Sequence, residues 1–366
     1  MFRLDPDDTG KGEEWFRHPN IFSEHLHVPG TWQGQGFGGS GKDTIRDFNL
    51  TARTFRATYK GTGWYCKTFR VPREWLDGPS AADNTGRLWL DFGGAHPSAE
   101  VWLNGHFLGI NELPFVPFGF DISQAVRPEA ENVIVARIHE KHRELGFAFN
   151  FQGNWSGLYR GVDLRATGDA YLDRLMTHPS LDEEKVAILP TVGGLAAGQG
   201  NLTLLMRVLD GEGQTVAEET STVSAAPSLN VKSAMPWSPD KPNLYRVDTR
   251  LIAADGHTLD ARADRFGFVK LSTREKHFCV NDEPYYMRGT GDFVSCPETG
   301  SPDTDRDRWR RKLKTLREYG YNYVRSQSYV QSPEYLDAAD EVGLLVQNEM
   351  GMLGAWGAEA PSGRMR

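Results

Sequence analysis

Cysteine is scarce in this 366-residue chain: Cys66, Cys279 and Cys296 are the only three, and no two stand in a C-x-x-C spacing. An odd count without paired spacing argues against both a disulfide framework and a structural zinc site. Long apolar runs are missing too, so no segment reads as a membrane span. Positive charge is in deficit, with 41 Lys and Arg against 49 Asp and Glu and a formal net charge of −8. No Lys/Arg block reverses that balance, which argues against nucleic acid or an anionic membrane as partner. The opening MFRLDPDDTGKGEEWF lacks the basic start and apolar stretch of a secretory signal. A cytoplasmic location is then the default, although FRLDP reads as the end of a strand already under way, which leaves export open.

Aromatic residues are plentiful, with 10 Trp, 12 Tyr and 19 Phe. Their flat faces stack on the C–H faces of sugar rings, and they also fill the cores of β-sandwiches, which is the commoner use. The length exceeds one ordinary domain and predicts two or three.

The first 270 residues read as β-structure. GWYCKTFRVP (63–72) and RLWLDFGG (87–94) alternate and are rich in aromatic and β-branched residues. AEVWLNGHFLG (99–109) predicts a hairpin turning at Asn104-Gly105. FGFDIS, NVIVARIHE (132–140) and SGLYRGVDLRAT (156–167) add further strands. Short strands with Gly/Pro turns and no helical period predict a β-sandwich or jelly roll. LTLLMRVLDGEGQTVAEET (202–220) and LYRVDTRLIAADGHTLDARADRFGF (244–268) are two more hairpins, the second turning at Asp255-Gly256. Together they have the size of an immunoglobulin-like sandwich, without the Cys–Trp–Cys pattern of antibody domains.

The pattern changes after about Thr273. KHFCVNDEPYYMRGTG (276–291) is a last hairpin, turning at Asn281-Asp282. In DTDRDRWRRKLKTLREYG (303–320), Trp309, Leu313 and Leu316 share a helical face and Gly320 is the stop. YNYVRSQ is a strand, Ser332-Pro333 opens a second helix, Gly343 ends it, and LLVQNE is another strand. Strand–helix–strand with short links predicts a parallel sheet or barrel, of which two strands are expected here.

The order of these parts resembles the N-terminal portion of glycoside hydrolase family 2, the family of β-galactosidases, β-glucuronidases and β-mannosidases. Residues 1–168 resemble its sugar-binding jelly roll through GWYCKTFRVP, VWLNGHFLG, PFGFDIS and WSGLYRGVDL. Residues 169–272 resemble its immunoglobulin-like sandwich through WSPDKPNLYRVDTRL and FGFVKL. Residues 273–366 resemble the first βα units of its (β/α)8 TIM barrel through FCVNDEPYYMRGTGDF, GYNYVRSQSY and EYLDAADEVGLLVQNE. The resemblance implies a mainly β fold and retaining hydrolysis of β-linked sugars by two glutamates, an acid/base and a nucleophile. Such a pair must stand about 5–5.5 Å apart. A complete barrel takes about 250 residues, so both glutamates are expected beyond Arg366, and this chain alone is expected to be inactive.

Several residues follow from the resemblance as substrate-binding. Arg325, at a strand's C-terminal end, stands where the family orients its nucleophile; a structural ion pair under the barrel mouth is the competing role. Asn348 and Glu349 end LLVQNE, where Glu349 matches the family's acidic strand end and not its acid/base. Glu359 lies in a loop and offers no better candidate. Asp292 follows the first barrel segment, as a substrate contact or a loop cap. Asn154 and Trp155 lie in FQGNWSGLYRG, which in the family reaches the barrel mouth; domain packing is their other use. Trp356 offers a sugar platform or an exposed aromatic. Ser328 replaces the histidine of many β-galactosidases, which puts galactoside specificity in question.

No cofactor is implied. His96, His139 and His142 form no helical metal pair and no carboxylate joins them at ligand spacing; some family members use Mg²⁺, but no ligands carry over. GQGFGGSG (34–41) lacks the strand–helix context and the Lys-Ser/Thr of a phosphate loop. The expected partners are a carbohydrate substrate and either further copies of the chain or a complementing barrel chain. A carbohydrate-binding protein without catalysis, or half of a split glycosidase, are the competing functions.

Overall fold

A computed structural model describes residues 1–38, 59, 61–77, 86–139, 156–194, 202–223, 225–292, 302–326 and 330–349. The first unit has eight strands: β1 (Phe2–Asp5), β2 (Thr62–Phe69), β3 (Arg87–Phe92), β4 (Ala99–Leu103), β5 (His106–Asn111), β6 (Phe118–Asp121), β7 (Asn132–His139) and β8 (Val162–Thr167). They form a five-stranded sheet, β1-β2-β7-β4-β5, and a three-stranded sheet, β6-β3-β8. Alternation sorts the side chains. Along β3, Leu88, Leu90 and Phe92 are buried in the core while the residues between them are not. The β4–β5 turn forms as expected: Asn104 (φ 53°) and Gly105 (φ 81°) are both left-handed, which matches the twist of the strands it joins. The outer face of the larger sheet is also covered, with Trp64, Cys66, Trp102 and Val135 packed under Trp15 and Phe22. Beside them Arg137 donates to Glu100 and to Asp8, each at 2.6 Å.

The second unit comprises β9 (Tyr171–Ser180), β10 (Lys185–Gly193), β11 (Thr203–Leu209), β12 (Thr215–Thr222), β13 (Ser228–Asn230), β14 (Trp237–Ser238), β15 (Lys241–Pro242), β16 (Tyr245–Ile252) and β17 (Thr258–Phe266). Sheets β12-β11-β16-β17 and β13-β10-β9 enclose Leu172, Ile188, Leu204, Met206 and Val247. This is the immunoglobulin-like sandwich, and its core is largely apolar, with Thr249 of β16 buried among these side chains.

The third unit begins with the antiparallel sheet β18 (Leu271–Arg274), β19 (His277–Val280) and β20 (Glu283–Pro284). Asn281 (φ 53°) and Asp282 (φ 67°) make its expected turn. The start of the barrel follows: β21 (Gly289–Asp292), helix α1 (Arg306–Glu318), β22 (Tyr323–Ser326), helix α2 (Pro333–Val342) and β23 (Leu345–Gln347). The three strands pair in parallel in the order β21-β22-β23. That corrects the count of two. GTGD has no apolar alternation and too much glycine to announce a strand, yet Gly289 is needed there because a Cβ would strike the Tyr323 ring beside it. Arg325 therefore lies near the end of the second parallel strand instead of the first, and Glu349 follows the third instead of the second.

Both helices start and stop on their sequence signals. The Asp305 side chain accepts from Asp307 N (2.9 Å), and the Ser332 hydroxyl accepts from Tyr335 N (3.3 Å), with Pro333 at the first helical position. Gly343 closes α2 in the left-handed conformation (φ 75°), and a Cβ there would collide with the Pro239 carbonyl. Trp309, Leu313, Val324, Tyr335 and Leu344 make the core between helices and strands.

Helix α2 touches both sandwiches. At its start Arg160 of the first donates to Glu334 (3.2 Å). At its end the Trp237 indole of the second donates to the Asp340 carbonyl (2.9 Å), and Arg265 donates to Asp337 (2.7 Å) and Glu341 (2.6 Å). Burial in this contact pushes the Asp340 carboxyl up from 3.8 to about 6, with Asp337 adding to the rise and Arg265 opposing it. The folded state thus holds a proton that the unfolded state gives up, so stability falls as pH rises from about 4 through about 6. Full ionisation costs on the order of 3 kcal/mol. Asp340→Asn is expected to raise the unfolding midpoint at pH 7 and to leave it nearly unchanged at pH 4; equal gains at both would show that Asp340 does not titrate in this range.

Candidate active site at the barrel mouth

The C-terminal ends of parallel barrel strands are where this architecture places its chemistry. Alternation gives each strand end two faces. On β22, Val324 and Ser326 are fully buried toward the helices, while Tyr323 is partly buried and Arg325 exposed on the opposite face. Arg325 Nε makes an ion pair with Glu349 Oε1. The Arg325 side chain is 51% exposed and that of Glu349 18%. Water screens such a pair, so it adds at most about 1 kcal/mol to folding. Beside it the Asn348 side chain accepts the Gln331 backbone N–H at 3.1 Å, which ties the segment before α2 to the segment after β23. The Tyr323 hydroxyl donates to Gln347 on the same level.

Asp292 lies elsewhere. It is in register with Ser326, on the helix side of the sheet. Both its oxygens are occupied: Lys312 Nζ of α1 stands 2.9 and 2.8 Å away, and the buried Tyr335 hydroxyl of α2 donates at 3.0 Å. Burial and the adjacent Asp292 charge both push the Tyr335 hydroxyl well above the usual phenol range. Asp292 thus ties the end of β21 to both helices, by side-chain bonds and not as a loop cap. The sequence marks neither Lys312 nor Tyr335 as a site residue. Their positions on the inner faces of α1 and α2 were readable, but the carboxylate they meet was not.

Four residues thus meet around the mouth, Arg325, Glu349, Asn348 and Gln331, with Asp292 on the helix side. Asn154, Trp155, Ser328 and Trp356 lie outside the described residues. Among the described residues, no group of three His, Cys, Asp or Glu side chains is placed to hold a metal ion.

Family comparisons follow the same order as the fold. Residues 1–167 match the glycosyl hydrolases family 2 sugar binding domain, 170–268 glycosyl hydrolases family 2, and 271–360 the glycosyl hydrolases family 2 TIM barrel domain. The chain belongs to glycosyl hydrolase family 2. Among curated relatives of this family it is 27% identical over 307 residues to a β-galactosidase of Thermoanaerobacter pseudethanolicus, covering 80% of this chain and 40% of that protein. It is 24% identical over 375 residues to a β-glucuronidase of Paenibacillus borealis, covering 96% of this chain and 58% of that protein. The β-glucuronidase from Ruminococcus gnavus, solved in complex with D-glucuronic acid, superposes with a TM-score of 0.77 at 23% identity, over 96% of this chain and 59% of that one. The chain thus spans between about two fifths and three fifths of these family 2 proteins, and the last likeness is one of fold.

Because Lys312 and Tyr335 share Asp292, their losses should not add. Lys312→Met is expected to cost roughly 2 kcal/mol and Tyr335→Phe about 1.5 kcal/mol in denaturant unfolding. The double variant should fall short of or exceed the sum by at least about 0.5 kcal/mol. Strict additivity would show that the three groups do not act as one cluster.

Proposed function

We propose that this chain forms the two sandwiches and the first barrel strands of a retaining glycosidase that cleaves a β-linked sugar. The observation that carries this is the pairing of Arg325 with Glu349 at the C-terminal end of a parallel βαβαβ segment, behind two sandwiches in the family's order. Named relatives are β-galactosidases and β-glucuronidases, and the substrate is placed in that class without a choice between them.

Retention needs an acid and a nucleophile about 5–5.5 Å apart, so that one protonates the leaving oxygen while the other attacks the anomeric carbon. Of the two carboxylates at the strand ends, Asp292 is committed to Lys312 and Tyr335, and Glu349 to Arg325. We therefore assign both catalytic glutamates to later barrel strands. Arg325 then presents its guanidinium to the nucleophile, with Glu349 holding it in place. Asn348, Asn154, Trp155 and Trp356 shape the sugar pocket. Among the described residues neither β21 nor β23 has a strand on its outer side. Parallel strands are stable when both edges and both faces are covered, which favours completion by further barrel strands over a free-standing sugar-binding module.

The test is hydrolysis of aryl β-galactosides, β-glucuronides and β-mannosides by the 366-residue chain, alone and mixed with a polypeptide carrying the remaining barrel strands. The chain alone should give no turnover above buffer. The mixture should turn over, and Arg325→Ala should lower its rate by roughly 10²-fold while leaving stability within about 1 kcal/mol. Turnover by the chain alone that vanishes in Glu349→Gln would make Glu349 the acid and overturn this assignment.

A further inference from the structure

The five-stranded sheet ends on β5, and among the described residues no strand pairs with its outer edge. A free edge offers a row of backbone N–H and C=O groups to any strand that can reach it. Proteins commonly blunt such edges with lysine, proline, other charges or a bulge, and of these β5, HFLGIN, has only a bulge.

Register decides which side chains accompany that edge. Trp102 pairs with Phe107 and Glu100 with Ile110, and a bulge at Leu108 absorbs the extra residue. Three positions apart, Phe107 and Ile110 would ordinarily point to opposite faces. The bulge brings both onto the outer face, while Leu108 packs on the core and a Cβ at Gly109 would strike Phe120 inside it. Phe107 rests against Trp102 with ring centroids 5.4 Å apart, yet is 55% exposed, and Ile110 is 46% exposed. Beyond the strand, Leu113 and Val116 are also exposed, at 52% and 44%.

We propose that a second copy of this chain covers this edge, its β5 running antiparallel to the first across a two-fold axis between Leu108 and Gly109. This register sets Phe107 opposite the partner's Ile110, and Ile110 opposite the partner's Phe107. Aromatic and β-branched residues in that relation are a stabilising cross-strand pair, and the symmetry supplies it twice. His106 falls opposite the partner's Asn111. From His106 to Pro117 only Glu112 is charged, in a chain with 25% charged residues and a net charge of −8. Two such chains repel over most of their surface, and this is a stretch where they can meet without like charges opposed. The two larger sheets then become one continuous sheet.

The test is sedimentation velocity of the 366-residue chain over a wide concentration range, with circular dichroism to confirm folding. The wild type should dimerise. Ile110→Lys and Phe107→Glu should each weaken the dimer by at least roughly 10²-fold, since each places two uncompensated charges at the axis. The double variant, in which a carboxylate faces an ammonium across the axis, should recover most of the association. Wild-type monomers at every concentration, a dimer indifferent to Ile110→Lys, or a folded double variant as weak as the single ones would each overturn the proposal. So would a wild-type monomer whose Phe107 instead binds a soluble oligosaccharide.

Discussion

The last turn of a helix leaves carbonyl groups without partners inside the helix, and in α2 they are satisfied from outside it. The Trp237 indole takes the Asp340 carbonyl, and the Arg317 guanidinium takes those of Val342 and Gly343. Arg317 also reaches Pro239 and Asp240 of the second sandwich. At the other end of α2, Arg160 of the first sandwich meets Glu334. A ten-residue helix is thus the place where all three units meet. It lies between β22, which carries Arg325, and β23, which leads to Glu349, so the geometry of the mouth is held from behind by side chains of both sandwiches.

This arrangement divides polar groups by what surrounds them. Asp292, Lys312 and Tyr335 lie among helices and strands, where an unmatched charge is costly, and they satisfy one another. Arg325 and Glu349 face the other side of the sheet, where water weakens their attraction. The acidic residues at the ends of β21 and β23 thus sit in different surroundings because successive residues along a strand point to opposite faces.

Much of the fold was readable where one or two residues settle a local conformation. Asn104-Gly105 and Asn281-Asp282 turn the chain because they tolerate positive φ, and Ser332, Pro333 and Gly343 bound α2 for equally local reasons. What depends on distant partners was not readable. The Gly-rich β21 is a strand through its backbone pairing with β22, whose Tyr323 ring leaves no room for a side chain at Gly289. The strands β9 and β10, with few turn signals of their own, are defined by pairing with each other. At the site, the period of a strand separates its residues into two sets but does not say which set faces the helices. Asp292 therefore reads as a substrate contact or a loop cap, while Lys312 and Tyr335, on helices, carry no mark of the carboxylate they meet. The meeting of Arg325 and Glu349 joins ends of two strands 24 residues apart, a contact that no local pattern encodes.

The glycine that closes α2 has a bearing on how such proteins can be recombined. Gly343 lies so close to the Pro239 carbonyl that no side chain fits between them. A hybrid that grafts a barrel from a distant relative onto these sandwiches would have to bring its own glycine at this point. Without it the graft would ride away from the sandwich, and the contacts of Trp237 and Arg265 would be lost with it. The junction between modules, as much as the modules themselves, limits which of them can be exchanged.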